Sequence, residues 1–410
     1  MISIVLLLLL VLWLAGTRTG RQSWSVTQVG ILTIPQRLGS SLVIVIGIAG
    51  VVGVLVAVLA MGAGFEATLR QTGSDDTAIV MRGGAQSELN SVLDHDSATL
   101  IEQLPQVAHD AQGLAVASPE LVVVASLPKK STGLDSNVEI RGVGARAWEL
   151  RPEIKIIAGR RFQPGLRELV VGKGAHGQFS DLDLGSSINL NGQRWSVVGE
   201  FESGDAYDSE LWADAQIVGP AYRRGSSVTS VTVRLTAPSA LDALKAAIAS
   251  DPRLKVDVKT TRAYYSEQSA SLARFIRALG ITIGSIMALG AVFGALNCMY
   301  SAVAARTREI ATLRAIGFRG LPVIVSVLIE TMLLALLGGL VGAGLAWSIF
   351  DHFTASTLGA NFSQVVFAFE VSPALLWTGL RWALVIGLIG GLFPALRAAR
   401  MPVTAGLREL

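Results

Sequence analysis

The chain of 410 residues holds one cysteine, Cys298, and four histidines. A single thiol excludes an intrachain disulfide, so any soluble part must hold together on its apolar core. With Cys298 inside an apolar run, no Cys/His metal cluster and no Ser-His-Asp or Cys-His nucleophile can be assembled, and neither a metal site nor a catalytic residue is expected. Charge is scarce as well. Asp, Glu, Lys and Arg make up 16% of the residues against 51% hydrophobic, with a mean hydropathy of +0.52. That balance excludes an ordinary soluble globule and points to the membrane class. Also missing is the phosphate-binding loop G-x-x-x-x-G-K-[ST]. The nearest stretch, GLRELVVGKG at 165–174, has the wrong spacing, and Gly174 stands where a magnesium-binding hydroxyl is needed.

Three short motifs invite a chemical reading, and each has a plainer one. GKGAHG at 172–177 matches G-x-G-x-x-G after a strand, but little helical length follows it, so a turn is expected. Asp94, His95 and Asp96 cannot all face one ion, and they suit a helix start, with Asp96 or Ser97 as the cap. The acidic run at 202–214 lacks calcium-loop spacing and reads as a solvated loop or partner-facing edge.

Long apolar runs are abundant. Residues 42–63 carry no charge and suffice for the hydrocarbon core, which takes roughly 20 helical residues. Residues 278–304, 322–350 and 373–396 are similar. Residues 2–15 are shorter and either span the membrane as an uncleaved helix or lie at its interface. Charge is unevenly spread. Residues 66–267 hold 26 acidic and 21 basic residues, while the remainder holds 5 acidic and 13 basic. The basic residues sit beside apolar runs, which excludes a nucleic-acid partner. Arg18, Arg21 and Arg37, then Arg306, Arg308, Arg314 and Arg319, then Arg397, Arg400 and Arg408 occupy short connections, whereas 351–372 has no Lys or Arg. The positive-inside rule places the arginine-bearing connections in the cytoplasm, and 351–372 and the large domain outside.

The fold class expected is an α-helical membrane protein with a large inserted α/β extracytoplasmic domain. It has four transmembrane helices plus an extra N-terminal one. The divisions are an N-terminal apolar helix (1–17), a cytoplasmic elbow (18–41), a first span (42–65), the outer domain (66–271), a second span (272–304), a short cytoplasmic helix (305–320), a third span (321–350), an outer loop (351–372), a fourth span (373–396) and a cytoplasmic tail (397–410). In the outer domain, alternation and β-branched residues predict strands at 76–82, 120–126, 137–143, 167–172, 187–190, 194–200, 228–235 and 254–260. Helices are predicted at 96–104, 238–250 and 263–277, and residues 155–222 read as an inserted strand-rich subdomain.

Within the spans, Glu330 is an ionisable residue in an apolar run. Either it has a function there, or it pairs with an arginine at the cytoplasmic end. Small residues four apart, Gly290 with Gly294, Gly338 with Gly342 and Gly387 with Gly391, allow close helix approach and dimerisation. Between the second and third spans, RTREIATLRAIGF at 306–318 places Ile310, Leu313 and Ile316 at helical spacing among Arg306, Arg308, Glu309 and Arg314, with Gly317 to end the helix. Such a helix lies on the membrane surface or docks into a partner's groove.

That stretch, followed by a span with Glu330 and a Gly-rich end (LLGGLVGAGLAW), resembles the FtsX-like permease domain of MacB-type ABC transporters. GLFPALRAARMPVTAGLRE resembles the same family's ending, and GRRFQPGLRELVVG with LGSSINLNGQRWSVVGEFE resembles its periplasmic core domain. The likeness covers about residues 28–410. It implies a permease of the bacterial inner membrane that catalyses nothing itself and binds no cofactor. ATP and magnesium belong to a cytoplasmic ABC ATPase dimer, here a separate polypeptide. Arg306, Arg308, Glu309 and Arg314 would make the polar contacts to that motor, with Ile310 and Leu313 packing and Gly317 closing the helix. The resemblance further implies a second permease copy, identical or related, a periplasmic adaptor and an outer-membrane duct. The output is mechanical work outside the membrane for efflux or extrusion. Regulation of a cell-wall hydrolase in the manner of FtsX, or extraction of lipoproteins, are the alternatives within that relationship.

Overall fold

The computed structural model describes residues 16–359 and 361–403, so the apolar run 2–15 lies outside the described residues. In chain order the helices are α1 (Arg18–Leu32), α2 (Leu38–Gln71), α3 (His95–Glu102), α4 (Ala147–Leu150), α5 (Lys173–Gln178), α6 (Ala215–Ala221), α7 (Leu241–Ser250), α8 (Thr261–Ala305), α9 (Thr307–Ala315), α10 (Gly320–Phe350) and α11 (Pro373–Arg400). The strands are β1 (Thr77–Arg82), β2 (Ala117–Pro128), β3 (Asp135–Val143), β4 (Lys155–Gly159), β5 (Glu168–Gly172), β6 (Ser187–Leu190), β7 (Gln193–Glu202), β8 (Glu210–Asp214), β9 (Ser230–Arg234), β10 (Val256–Thr260), β11 (Thr354–Leu358) and β12 (Gln364–Ala368). Two compact units result. The first takes the chain up to Gly62, Phe275–Phe353 and the part from Phe369 on, and the second takes Ala63–Arg274 with Thr354–Ala368.

Among the described residues, four helices are long and apolar enough to cross a membrane: Pro35–Gln71, α8, α10 and α11. Lipid offers no hydrophobic drive between helices, so packing depends on how closely their backbones approach. Gly338 and Gly342 provide that approach. A Cβ at Gly338 would lie 2.8 Å from the Val45 carbonyl oxygen, and one at Gly342 would lie 2.4 Å from that of Ala49. The α10–α11 contact is closed the same way, with Gly391 against Thr331 and Gly387 against Ala335. Gly290 and Gly294 do not follow this pattern. A Cβ at either meets nothing within 4 Å, and their helix leaves Ile286, Leu289 and Phe293 exposed. The same spacing is therefore a packing seam on α10 and α11 and an open face on α8.

The second unit is built on one ten-stranded sheet in the order β10-β1-β9-β2-β3-β8-β5-β7-β4, with β6 on β7. β7 shows why the sequence folds so. Trp195, Val197 and Phe201 are buried while Arg194 and Ser196 are exposed, the period-two pattern of a half-buried strand. The strands within 155–222 continue the same sheet across the parallel β3–β8 pair, in which Arg141 stands opposite Trp212. Two apolar clusters serve that sheet. One gathers Val123, Ile140, Leu169, Trp195 and Leu211, and the other gathers Val80, Ile101, Val231, Leu244 and Val258.

Several local expectations are corrected. The acidic run at 202–214 is not a solvated edge, because its last five residues form β8, buried throughout. Its charges are satisfied internally. Glu210 accepts from Arg141, and Asp214 caps α6 through Gln216 N at 2.9 Å. The cap of α3 is Asp94, accepting from Ser97 N at 2.7 Å, rather than Asp96 or Ser97. In GKGAHG, Gly172 is the N-cap and the rest opens the six-residue α5 instead of a turn. A Cβ on Gly172 would lie 2.3 Å from the Asp208 carbonyl oxygen, so this glycine serves packing. Residues 351–372 contain the β11–β12 hairpin.

A buried ion network occupies the middle of the sheet. The Arg141 guanidinium touches four carboxylates: Glu88 at 2.8 Å, Glu120 at 3.0 Å, Glu139 at 3.1 Å and Glu210 at 2.8 Å. Arg151 adds a fork onto Glu120 at 2.7 and 2.8 Å. Burial pushes Glu120 up, but Arg151 and Arg141 outweigh it and hold its carboxyl below the usual range. Glu139 goes the other way. Burial and the neighbouring Glu210 carry it to about 8, which Arg141 only partly offsets. Burial likewise lifts Asp205 to about 7.

Both shifts have one sign. A carboxyl whose pKa is higher folded than unfolded contributes stability that is present at low pH and lost as pH rises through the folded value. The full chain in detergent is therefore expected to melt highest near pH 5 and progressively lower toward pH 8.5. Glu139→Gln should reduce the slope between pH 7 and 8, where Asp205 is at least half titrated. A slope unchanged in that variant, followed by tryptophan fluorescence, would contradict the assignment.

Candidate coupling site

The short helix α9 has Arg306 as its N-cap and ends in a Schellman turn. Gly317 sits at φ +104°, its N–H reaches the Arg314 carbonyl at 3.2 Å, and the Phe318 N–H reaches that of Leu313 at 3.1 Å. Only glycine holds that left-handed position without strain. The helix has two faces. Thr307, Ile310 and Ala311 are buried and Leu313 is half-buried. Arg308, Glu309, Thr312, Ala315 and Ile316 are exposed, Ile316 at 70%.

The expected grouping of Ile310, Leu313 and Ile316 on one side is therefore corrected. At 3.6 residues per turn a position six residues on has rotated about 120° away, and Ile316 is also the residue at which the helix ends. Two of the expected contact arginines are engaged within the chain. The Arg314 Nη1 donates to the Met401 carbonyl, and Arg306 turns inward.

Glu330 explains where Arg306 goes. Its side chain is 4% exposed and lies between two guanidiniums. Arg37 Nη2 donates to one carboxylate oxygen at 2.7 Å, and Arg306 Nη1 donates to the other at 3.2 Å. Arg306 Nη2 also donates to the Gly30 carbonyl at 2.9 Å, near the end of α1. Gly30 makes the room, since a Cβ there would come within 3.3 Å of Ser326 and 3.4 Å of Glu330. Of the two readings of Glu330, the structure shows the pairing with arginines. That pairing ties α1, the elbow at Arg37, the start of α9 and the body of α10 to one carboxylate, around a cavity of about 40 Å³.

A buried charge deprived of its partner typically destabilises by about 3–5 kcal/mol. Glu330→Ala leaves two half-buried guanidiniums without their carboxylate and is expected to lower the melting temperature of the detergent-solubilised chain by several degrees. Glu330→Gln, which keeps an acceptor, should lower it less. Equal melting of all three forms would remove the triad from the account.

Sequence reasoning found Glu330 and α9 but not Gly30 and Arg37 as their partners. Arg37 beside Pro35 marked a cytoplasmic connection, yet nothing in its local pattern shows that it folds back onto residue 330. Among the described residues no group of His, Cys, Asp and Glu could hold a metal ion.

Comparison with known proteins gives two family matches that together cover most of the chain. The MacB-like periplasmic core domain matches residues 41–251, and the FtsX-like permease C-terminal part matches residues 281–403. The chain is 26% identical over 399 residues to the macrolide export ATP-binding/permease protein MacB of Vibrio parahaemolyticus, covering 89% of this chain and 56% of that protein. It is 38% identical over 117 residues to the protein of the same name from Pectobacterium atrosepticum, covering 28% of this chain and 17% of that one. The periplasmic region of MacB from Actinobacillus actinomycetemcomitans aligns with a TM-score of 0.36 at 14% identity, covering 48% of this chain and 92% of that structure. The chain spans about half the length of the relatives that it matches along most of its own length.

Proposed function

Since the chain belongs to the family that joins a MacB-like periplasmic core domain to an FtsX-like permease part, we propose that it is the permease of an ABC transporter in the bacterial inner membrane. It converts ATP hydrolysis on a cytoplasmic ATPase into a conformational change of its outer domain. The observation that carries this reading is the division of labour on α9. One face offers Arg308, Glu309, Thr312 and Ile316 to a partner, and the other is bolted through Arg306 and Glu330 to α1 and α10. A push on the outer face is thereby delivered to a membrane helix instead of being lost in a loose loop. α8 is a single helix of 45 residues that follows the edge strand β10 in sequence and contains an apolar stretch long enough to cross a membrane. A helix of that length suits a stiff transmitting rod.

Efflux is the output that fits best, with a periplasmic adaptor receiving the motion. The open α8 face around Gly290 and Gly294 is assigned to a second permease copy. Affinity purification of the chain from native membranes, with mass spectrometry of what accompanies it, tests the reading. An ABC ATPase and an adaptor are expected. A cell-wall hydrolase in place of the adaptor would make the chain a regulator, and absence of any ATPase would overturn the proposal.

A further inference from the structure

The β11–β12 hairpin docks on the sheet of its own unit, and a cavity of about 190 Å³ lies beneath it. Its docking combines the buried Phe367 ring, edge-on to Phe65 at 5.6 Å, with polar contacts. Lys129 Nζ reaches Ser356 Oγ at 3.1 Å and Gln364 Oε1 at 3.2 Å, and Val366 N–H donates to Ser209 Oγ at 2.8 Å. Asn361 Nδ2 and Ser363 Oγ both reach Glu139 Oε2, at 3.1 and 3.0 Å. Three features of the cavity remain unexplained by the fold. Glu139 and Glu210 stand in its wall as part of a network of four carboxylates that share only two guanidiniums. Asn361, 8% exposed, lines the cavity with an Oδ1 that has no hydrogen-bond partner. Gln268, on α8, lines it with an Nε2 that also has none. The rest of the wall includes Phe65, Leu69 and Leu272, which are apolar.

We propose that this cavity binds a small organic ammonium ion carrying a neighbouring oxygen, the chemistry of an amino alcohol. Glu139 and Asn361 Oδ1 take its N–H groups, and Gln268 Nε2 donates to its oxygen. A buried charge needs a counter-charge and a buried polar atom needs a partner, and one such cation supplies both. The excess of carboxylates rejects an anion. A neutral alcohol brings no positive charge for Glu139 to balance and would displace no proton from it. The volume, at roughly 30 Å³ per water, equals about six waters, which limits the occupant to a fragment of about ten heavy atoms with its hydrocarbon against Phe65 and Leu69.

The groups facing Glu139 are Arg141, Glu88 and Glu210 from the sheet side, Tyr264 from α8, and Asn361 and Ser363 from the hairpin. With burial and the two carboxylates dominating, Glu139 is protonated when the site is empty. An arriving ammonium then expels that proton to solvent. The inference does not depend on the transporter reading.

Leucinol, an amino alcohol of eight heavy atoms, is the probe, and 4-methylpentan-1-ol is its control without nitrogen. Calorimetric titration of the full chain at pH 7 in two buffers of different ionisation heat reads both affinity and proton release. Saturable binding of leucinol with close to one proton released is expected, with no binding of the control. Glu139→Gln, nearly isosteric, should lose at least tenfold in affinity together with the proton release, and Asn361→Ala should weaken binding several-fold. Absence of binding, or equal binding by wild type and Glu139→Gln, overturns the site, as does a structure with leucinol present that holds only water there. The natural source is separated by repeating the titration in bilayers with and without phosphatidylethanolamine. Weaker apparent binding in its presence assigns a lipid headgroup as the occupant, and equal binding assigns a free amine.

Discussion

Arg141→Leu is expected to unfold the α/β unit. One guanidinium faces Glu88, Glu120, Glu139 and Glu210, all buried, and its removal strands at least three carboxylates away from water. Breaking one buried pair typically destabilises by about 3–5 kcal/mol, and whole domains are stable by only about 5–15 kcal/mol. Protonation can relieve some of the stranded charge but leaves each carboxyl short of its hydrogen bonds. Limited proteolysis of the full chain in membranes should cut rapidly within residues 77–260. Near-ultraviolet circular dichroism should lose the signal of the Trp148–Trp212–Phe201 cluster, whose rings lie 5.0–6.5 Å apart. Arg141→Lys should be intermediate, because an ammonium keeps the charge but cannot reproduce the fork that serves four partners. A leucine variant that melts within about 2 °C of the wild type would refute this account of the network.

The second large effect belongs to α9. Ile316→Asp should abolish productive contact with the proposed ATPase while leaving the chain folded, since Ile316 is the most exposed large apolar residue of that segment, at 70%. A central apolar contact in an interface is worth about 2 kcal/mol or more, so a loss of at least tenfold in permease-stimulated ATP hydrolysis is expected, with melting unchanged. Arg308→Glu on the same face should act in the same direction. Arg314→Glu is a poorer probe, because Arg314 is bound to the Met401 carbonyl and its reversal would disturb the chain end as well. Full stimulation by Ile316→Asp would move the coupling surface elsewhere.

What the sequence made legible follows from which forces are local. Apolar runs long enough for a bilayer are a property of consecutive residues, and the four long helices were readable from them. Alternation is nearly as local, so β7 with Trp195, Val197 and Phe201 was readable too. β8 was not, because Glu210 and Asp214 look like solvated charges until Arg141, 69 positions away, is brought beside Glu210. β4 escaped for a different reason. Residues 155–159 form an edge strand in which Ile156 and Ala158 are only half-buried, so the alternation there is weak. The hairpin escaped because 351–372 was judged on charge alone, although TASTL and QVVFA carry β-branched residues. For the candidate site, composition singled out Glu330 and the two-faced α9. Which arginine turned inward and which stayed out depended on Gly30 and Arg37, nearly 300 residues before Glu330. Opposite charges two apart on a strand, as with Glu139 and Arg141, are the signal that could have shown the buried network.

The central claim is that a motor gripping α9 reshapes the outer unit. Hydrogen exchange of the assembled complex tests it most directly, read at Thr354–Ala368 and β3. The hairpin is continuous in sequence with α10 and α11 and is held to β3 by Asn361 and Ser363. Trapping the ATPase in its ATP-bound state should change the protection of these two segments in the wild-type complex and leave it unchanged with Ile316→Asp. Identical protection with and without trapped ATP, or a change that persists in Ile316→Asp, would contradict the account.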